Sequence, residues 1–169
     1  MASLRWAPAV EAPLTGSQAS NGQDMLRGVQ LAVNQYNAKG GYYGRKVVIV
    51  KADDKANPKI ANKVAKKAIS AGIVGVIGPY NSSVGVINLP TYIKARVVPV
   101  QMTSVDATSG KGITLQPKNS QISPVEADFI LNQWKPAKVS MLVDPSDYTK
   151  SMADRLEAAL KAKGVLVTQ

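Results

Sequence analysis

Short β-branched runs alternate along the chain with longer amphipathic stretches, the pattern of βα units that assemble a parallel sheet. The first apolar run, Leu4–Ala9, predicts a strand. Ser20 or Asn21 then caps a helix reaching to about Ala38, in which Met25, Val29, Ala32, Val33 and Tyr36 recur at spacings of three and four. Gly40 and Gly41 stop that helix, because glycine accepts the left-handed conformation that closes a helix end. Val47–Lys51 is almost wholly apolar, as expected of a strand covered by helices on both sheet faces, and Asp53 and Asp54 end it. Pro58 suits the first position of a second helix, which aligns Ile60, Val64, Ala68 and Ile69. Gly72 closes it. Val74–Ile77, Val97–Gln101 and Ile113–Gln116 read as the next three strands. The helix predicted over Ser83–Lys94 is weakened by Gly85 and Pro90.

Near 117–123 the texture changes to clustered Pro, Asn, Ser and Gln, as in a linker. A helix over Pro124–Trp134, a strand over Lys138–Val143, a helix over Thr149–Lys163 and a strand opening at Val165 follow. The boundary falls near 118–122. It separates an N-terminal, Rossmann-like α/β lobe over 1–120 from the start of a second, incomplete lobe over 121–169.

Composition narrows the function. With 45% hydrophobic and 19% charged residues the chain is globular, and no apolar run approaches the roughly 18–20 residues a bilayer requires. Cys and His are both absent. That excludes disulfides, thiolate metal sites, a cysteine nucleophile and a histidine base. Asp53 and Asp54 lack further ligands and read as a strand end, so no metal is expected. The first strand–helix turn reads Gly16-Ser17-Gln18-Ala19-Ser20-Asn21-Gly22, which is not the dinucleotide fingerprint, and no G-x-S-x-G elbow occurs. Neither an enzyme nor a cofactor is expected. The formal charge of +10 raises a nucleic-acid or anionic-membrane partner. However, the lysines are spread over helix faces (Lys55, Lys59, Lys63, Lys66 and Lys67 on one), and no aromatics interleave with them, so no nucleic-acid partner is expected. A ligand-sensing regulatory or nucleic-acid-associated domain stands as the alternative function. Trp6 and Trp134 read as packing residues.

Several segments form an ordered series: Ala12–Gly16 (APLTG), Leu26–Val33 (LRGVQLAV), Asn37–Gly41 (NAKGG), Gly44–Lys46, Asp53–Asp54, Val76–Pro79 (VIGP) with Ser82–Ser83, and Val143–Tyr148 (VDPSDY). The series resembles the leucine/isoleucine/valine-binding protein family over essentially the whole chain. The resemblance implies a type I periplasmic-binding fold of two α/β lobes that close on a small ligand. It also implies an extracytoplasmic receptor that hands an amino acid, amide or small carboxylate to the membrane subunits of an ABC importer. Family members are roughly twice this length, so the chain matches the N-terminal part. Its opening, MASLRWAPAV, lacks a signal peptide, which is expected to have been removed already.

In such sheets ligands bind beyond the carboxyl ends of the strands. The loop Gly78–Ser83 leads into a helix whose N-terminal amides favour a carboxylate. By resemblance Ser82 is the first-lobe ligand serine, with Asn81 and Ser83 beside it, although Ser82 or Ser83 can equally cap the helix. Ser104 and Asp106 occupy the positions of a small residue and a threonine. A register slip of two would place Met102 and Ser104 there instead. Asp106 departs from the family pattern and would favour an ammonium or a hydroxyl donor. Ser17 to Asn21 matches the first loop, and Tyr148 matches a second-lobe tyrosine that closes over the ligand. For this length of chain, Phe129, Ile130, Met141 and Leu156 are expected to lack partners. Weak ligand affinity and self-association follow, with exchange of Ser123–Gln169 between chains as one route.

Overall fold

Parallel pairing organises the fold. The computed structural model describes residues 7–169. They divide into two units, one running up to Thr103 and taking back Gly110–Leu115, the other joining Ser104–Ser109 to Gln116–Gln169.

In the first unit, β1 (Pro8–Ala12), β2 (Val50–Asp53), β3 (Gly75–Ile77), β4 (Val98–Gln101) and β5 (Ile113–Thr114) form one sheet in the order β2-β1-β3-β4-β5. Every pairing is parallel, with Ala12 opposite Asp53 and Ile77 opposite Val100. Three helices join the strands: α1 (Ala19–Ala38), α2 (Pro58–Ser70) and α3 (Ser82–Lys94). Strand alternation sorts the core into two layers. Val10, Ala12 and Leu14 meet Leu26, Met25 and Val29 of α1 on one face. Ala9, Ala52 and Val76 meet Ala65 and Ala68 of α2 and Tyr92 of α3 on the other.

Several boundaries differ from the expectation, each for a local reason. β1 starts at Pro8 and runs on to Ala12; Leu4–Trp6, including the Trp6 predicted to pack, lie outside the described residues. Ser20 and Asn21 do not cap α1. They sit inside its first turn, and Gln18 holds the cap position without a side-chain bond to the helix amides. Ala32 and Tyr36, expected on the buried face, are exposed. β2 begins three residues later than its apolar run. The Asn37 side-chain amide takes both backbone groups of Val47, donating to its carbonyl at 2.9 Å and accepting from its N–H at 2.8 Å. α2 follows the prediction, with Asn57 accepting from Lys59 N–H at 2.9 Å and Pro58 opening the helix.

The two residues that weakened α3 have different fates. Gly85 is buried where a Cβ would meet the Thr103 methyl at 2.5 Å, so glycine lets the helix lie close to the chain leaving β4. Pro90 is exposed within the helix.

The second unit holds a 3-10 turn (Asp106–Thr108), α4 (Asn119–Phe129) ending in a π-helical turn (Ile130–Trp134), β6 (Lys138–Ser140), α5 (Asp147–Lys161) and β7 (Leu166–Thr168). Strands β6 and β7 pair in parallel as a two-stranded sheet. α4 starts inside the stretch expected to be a linker, because Gln121 Oε1 accepts the Lys118 N–H at 2.8 Å and secures the first turn. Lys135, in the left-handed conformation, closes the π turn. β6 is three residues shorter than predicted, and α5 starts two residues early, capped by Ser146. Ile130, Met141 and Leu156 are not unpartnered: they pack against Ala127, Leu160, Val165 and Val167. Phe129 is half exposed and meets Trp134 edge-on at 5.4 Å, so Trp134 lies at the surface instead of packing inside.

Candidate functional site

All five strands of the first unit run in one direction, which places the loops that follow them at one end of the sheet. Side chains and backbone then tie these loops together. Gln18, just before α1, accepts at 2.8 Å from the Asn81 amide, which stands at the head of α3. Met102, just after β4, donates its N–H to Pro79 O at 3.2 Å. Asp53 at the end of β2 accepts from Leu14 N–H at 2.9 Å, Thr15 N–H at 3.2 Å and Thr15 Oγ1 at 2.5 Å. Burial pushes the Asp53 carboxyl upward, but the Thr15 and backbone donors outweigh it and hold the pKa below its ordinary value. Asp53 therefore works as a loop anchor in its ionised form.

Of the first-unit site residues, Ser82 is buried as the opening residue of α3. Asn81 takes the cap position, but its side chain reaches Gln18 and does not cap the helix; its Oδ1 is a buried acceptor with no partner. Ser83 and Met102 are half-buried. Ser17 and Asn21 are exposed, Ser17 in the loop and Asn21 on α1.

Ser104, Asp106 and Tyr148 belong to the second unit, where Asn119 links two of them. Its backbone N–H donates to Ser104 O at 2.7 Å, and its side chain donates to Tyr148 O at 3.0 Å. Ser104 Oγ reaches Gln116 Oε1 at 3.1 Å. The Asp106 carboxylate is already engaged, accepting from Ser120 Oγ and pairing with Arg155 at 2.8 Å. Desolvation raises its pKa, but the Ser120 hydrogen bond and the Arg155 charge outweigh it and leave it below its ordinary value. Lys118, which the linker-like reading of 117–123 passed over, is buried with Nζ 2.8 Å from Thr108 Oγ1. Only its place before a helix start marked it in the sequence. Tyr148 stands on the first turn of α5, 39% exposed and so open to solvent.

Parallel strands whose following loops gather at one end of the sheet define an open α/β unit, and in such units ligands bind at that end. The chain belongs to the periplasmic binding protein family, whose model matches residues 9–169. It is 34% identical over 179 residues to a Leu/Ile/Val-binding protein of Rhizobium johnstonii, covering 98% of this chain and 48% of the relative. An amino acid binding protein of Pseudomonas aeruginosa is 31% identical over 162 residues, covering 92% and 43%. The fold matches the branched-chain amino acid transporter substrate-binding protein of Streptococcus pneumoniae, solved with isoleucine, at a TM-score of 0.83 and 24% identity, over 92% of this chain and 46% of that one. A Rhodopseudomonas palustris solute-binding protein solved with 3,4-dihydroxybenzoic acid matches at a TM-score of 0.83 and 16% identity, over 98% and 46%. The chain thus spans a little under half the length of these relatives. The family consists of solute-binding proteins and not enzymes, and nothing in the comparisons supports the alternative of a regulatory or nucleic-acid-associated domain.

Proposed function

We propose that the chain forms part of an extracytoplasmic solute-binding protein that captures an amino acid or similar small polar ligand for the membrane subunits of an ABC importer. The observation that carries this reading is the convergence of the loops after β1, β3 and β4, held by the Gln18–Asn81 and Met102–Pro79 bonds. Ser82 and the first-turn amides of α3, which Asn81 leaves uncapped, are suited to a carboxylate. Asn81 Oδ1 and Met102 complete that loop cluster, with Ser83 alongside and Ser17 and Asn21 at its outer rim. In the second unit, taken by itself, Ser104 and Tyr148 are joined through Asn119, and Asp106 lies in the same loop as Ser104. Because Asp106 is tied to Arg155 and Ser120, it acts by holding its loop and by offering its remaining acceptor capacity to an ammonium group. The named ligands of the relatives point to branched-chain amino acids first and aromatic acids second.

Titration calorimetry against leucine, isoleucine, valine, an amide and a hydroxybenzoate tests the reading. A saturable heat with at least one of them is expected, weakened about tenfold by Ser82→Ala, the size of one lost charge-assisted hydrogen bond. Silence across the panel, or wild-type affinity in both Ser82→Ala and Ser104→Ala, would sink it.

A further inference from the structure

Glu11 lies on β1 on the same face as Ala9, toward the α2–α3 layer, and is fully buried. Asn88 of α3 donates its amide to Glu11 Oε1. Tyr92, one turn further along α3 and equally buried, brings its hydroxyl near the carboxyl. Asp54, just past β2, is buried too; its backbone N–H is held by Ala12 O at 3.2 Å and its Oδ1 accepts from Ala56 N–H at 2.8 Å. Among the described residues, no neighbour brings a compensating cation. The buried face of α2 is Ala61, Ala65 and Ala68, and none of the ion pairs found among the described residues reaches Glu11 or Asp54. Asp53, also nearby, carries a charge of the same sign.

Four buried atoms of this group have no partner: Glu11 Oε2, Asp54 Oδ2, Asn88 Oδ1 and Tyr92 Oη. With both carboxylates ionised, three of them only accept and Tyr92 alone can donate. Two uncompensated carboxylates and a shortage of donors make an expensive interior. One added proton mends both faults: it removes a charge and supplies the missing donor.

We propose that Glu11 is a proton-binding centre of the first unit, protonated at neutral pH and donating into the acceptor-rich group formed with Asp54 and Asn88, so that this unit takes up a proton on folding and loosens as pH rises. Desolvation, then the charge of Asp54, push the Glu11 carboxyl up to about 8, and desolvation pushes Asp54 up to about 6. Both shifts agree with the count of donors. The sign follows from linkage. Between the ordinary value of 4.5 and about 8 the unfolded chain has released the proton that the folded chain still holds, so stability falls with rising pH across that window. Because Asp54 is bonded to Ala12 and adjoins Asp53, the anchor of Leu14 and Thr15, the change reaches the loop that leads to Ser17.

The test is urea unfolding at a series of pH values for the wild type and for Glu11→Gln, whose amide keeps both the shape and a donor. The ratio of folding constants, wild type to variant, is expected to fall by up to tenfold per pH unit across the window, the signature of one proton. Parallel curves for the two proteins overturn the proposal. Should Glu11→Gln fail to fold, infrared spectroscopy of the wild type decides. A carbonyl band of a protonated carboxylic acid persisting at neutral pH supports the assignment, and its absence overturns it.

Discussion

The two units solve the same packing problem with very different means. In the first, a five-stranded sheet is covered by α1 on one face and by α2 and α3 on the other. In the second, two short strands have one covered face. Val165 and Val167 point into the cluster around Leu160, while Leu166 between them is 60% exposed, and Ser140 and Thr168 meet across the strands at 2.9 Å on the outer face. A sheet of two strands is marginal without helices packed on it. The second unit is therefore held by few side chains and the first by many.

The largest effect is expected where the first unit has no slack. Gly78 has a φ of +119°, and a Cβ there would lie 2.1 Å from Glu11 O, inside the sheet. Gly78→Ala combines a strained backbone with an overpacked core and should cost about 3 kcal/mol or more. Urea unfolding measures it, and a loss below about 1 kcal/mol would show that the strands can part there cheaply.

Next comes Leu160→Ala in the second unit. Leu160 is fully buried at the centre of the single cluster, so the loss should be about 2–5 kcal/mol. The backbone amides of α4, α5, β6 and β7 should lose hydrogen-exchange protection, while those of β1, β3 and β4 keep theirs. Equal loss in both units would mean that they unfold as one, and the contrast drawn above would be thermodynamically empty.

The smallest effect separates two adjacent carboxyls. Asp53, with its lowered pKa, stabilises the fold when ionised, so that contribution is present near neutrality and fades as the pH falls through its folded value. Asp53→Asn should therefore cost about 1–2 kcal/mol at neutral pH and less in acid. Asp54, raised by burial, has the opposite sign. If Asp53→Asn were as damaging in acid as at neutrality, its hydrogen bonds to Leu14 and Thr15 would not depend on its charge.

The alternation of strand and helix was legible because parallel strands covered on both faces leave apolar runs too plain to miss, as at Val74–Ile77 and Val97–Gln101. Ends were harder to read, since they depend on contacts from far along the chain. Nothing near Val47 announces that Asn37 will hold it, and the Pro-Lys-Asn-Ser stretch conceals a helix start secured by Gln121. Those errors reached the chemistry as well. Ending the first strand at Ala9 left Glu11 in an imagined loop, where a carboxylate is unremarked, when it is the most buried acid of the sheet. The place of Asn81 and Ser82 at the head of a helix was legible from the strand–loop–helix order. The pairing of Asp106 with Arg155 was not, because 49 residues separate them and no periodicity links the two.

A run of apolar residues at the rim of a sheet invites a passing molecule to add itself as one more strand. Val47–Val50 is such a run, at the outermost strand and with Val48 54% exposed. Both backbone groups of Val47 are already taken by the Asn37 amide, and the charged Lys51 stands exposed at the far end. A stranger would have to break two bonds before making its first, so the helix that closes one face of the sheet also guards its flank against fibrous growth.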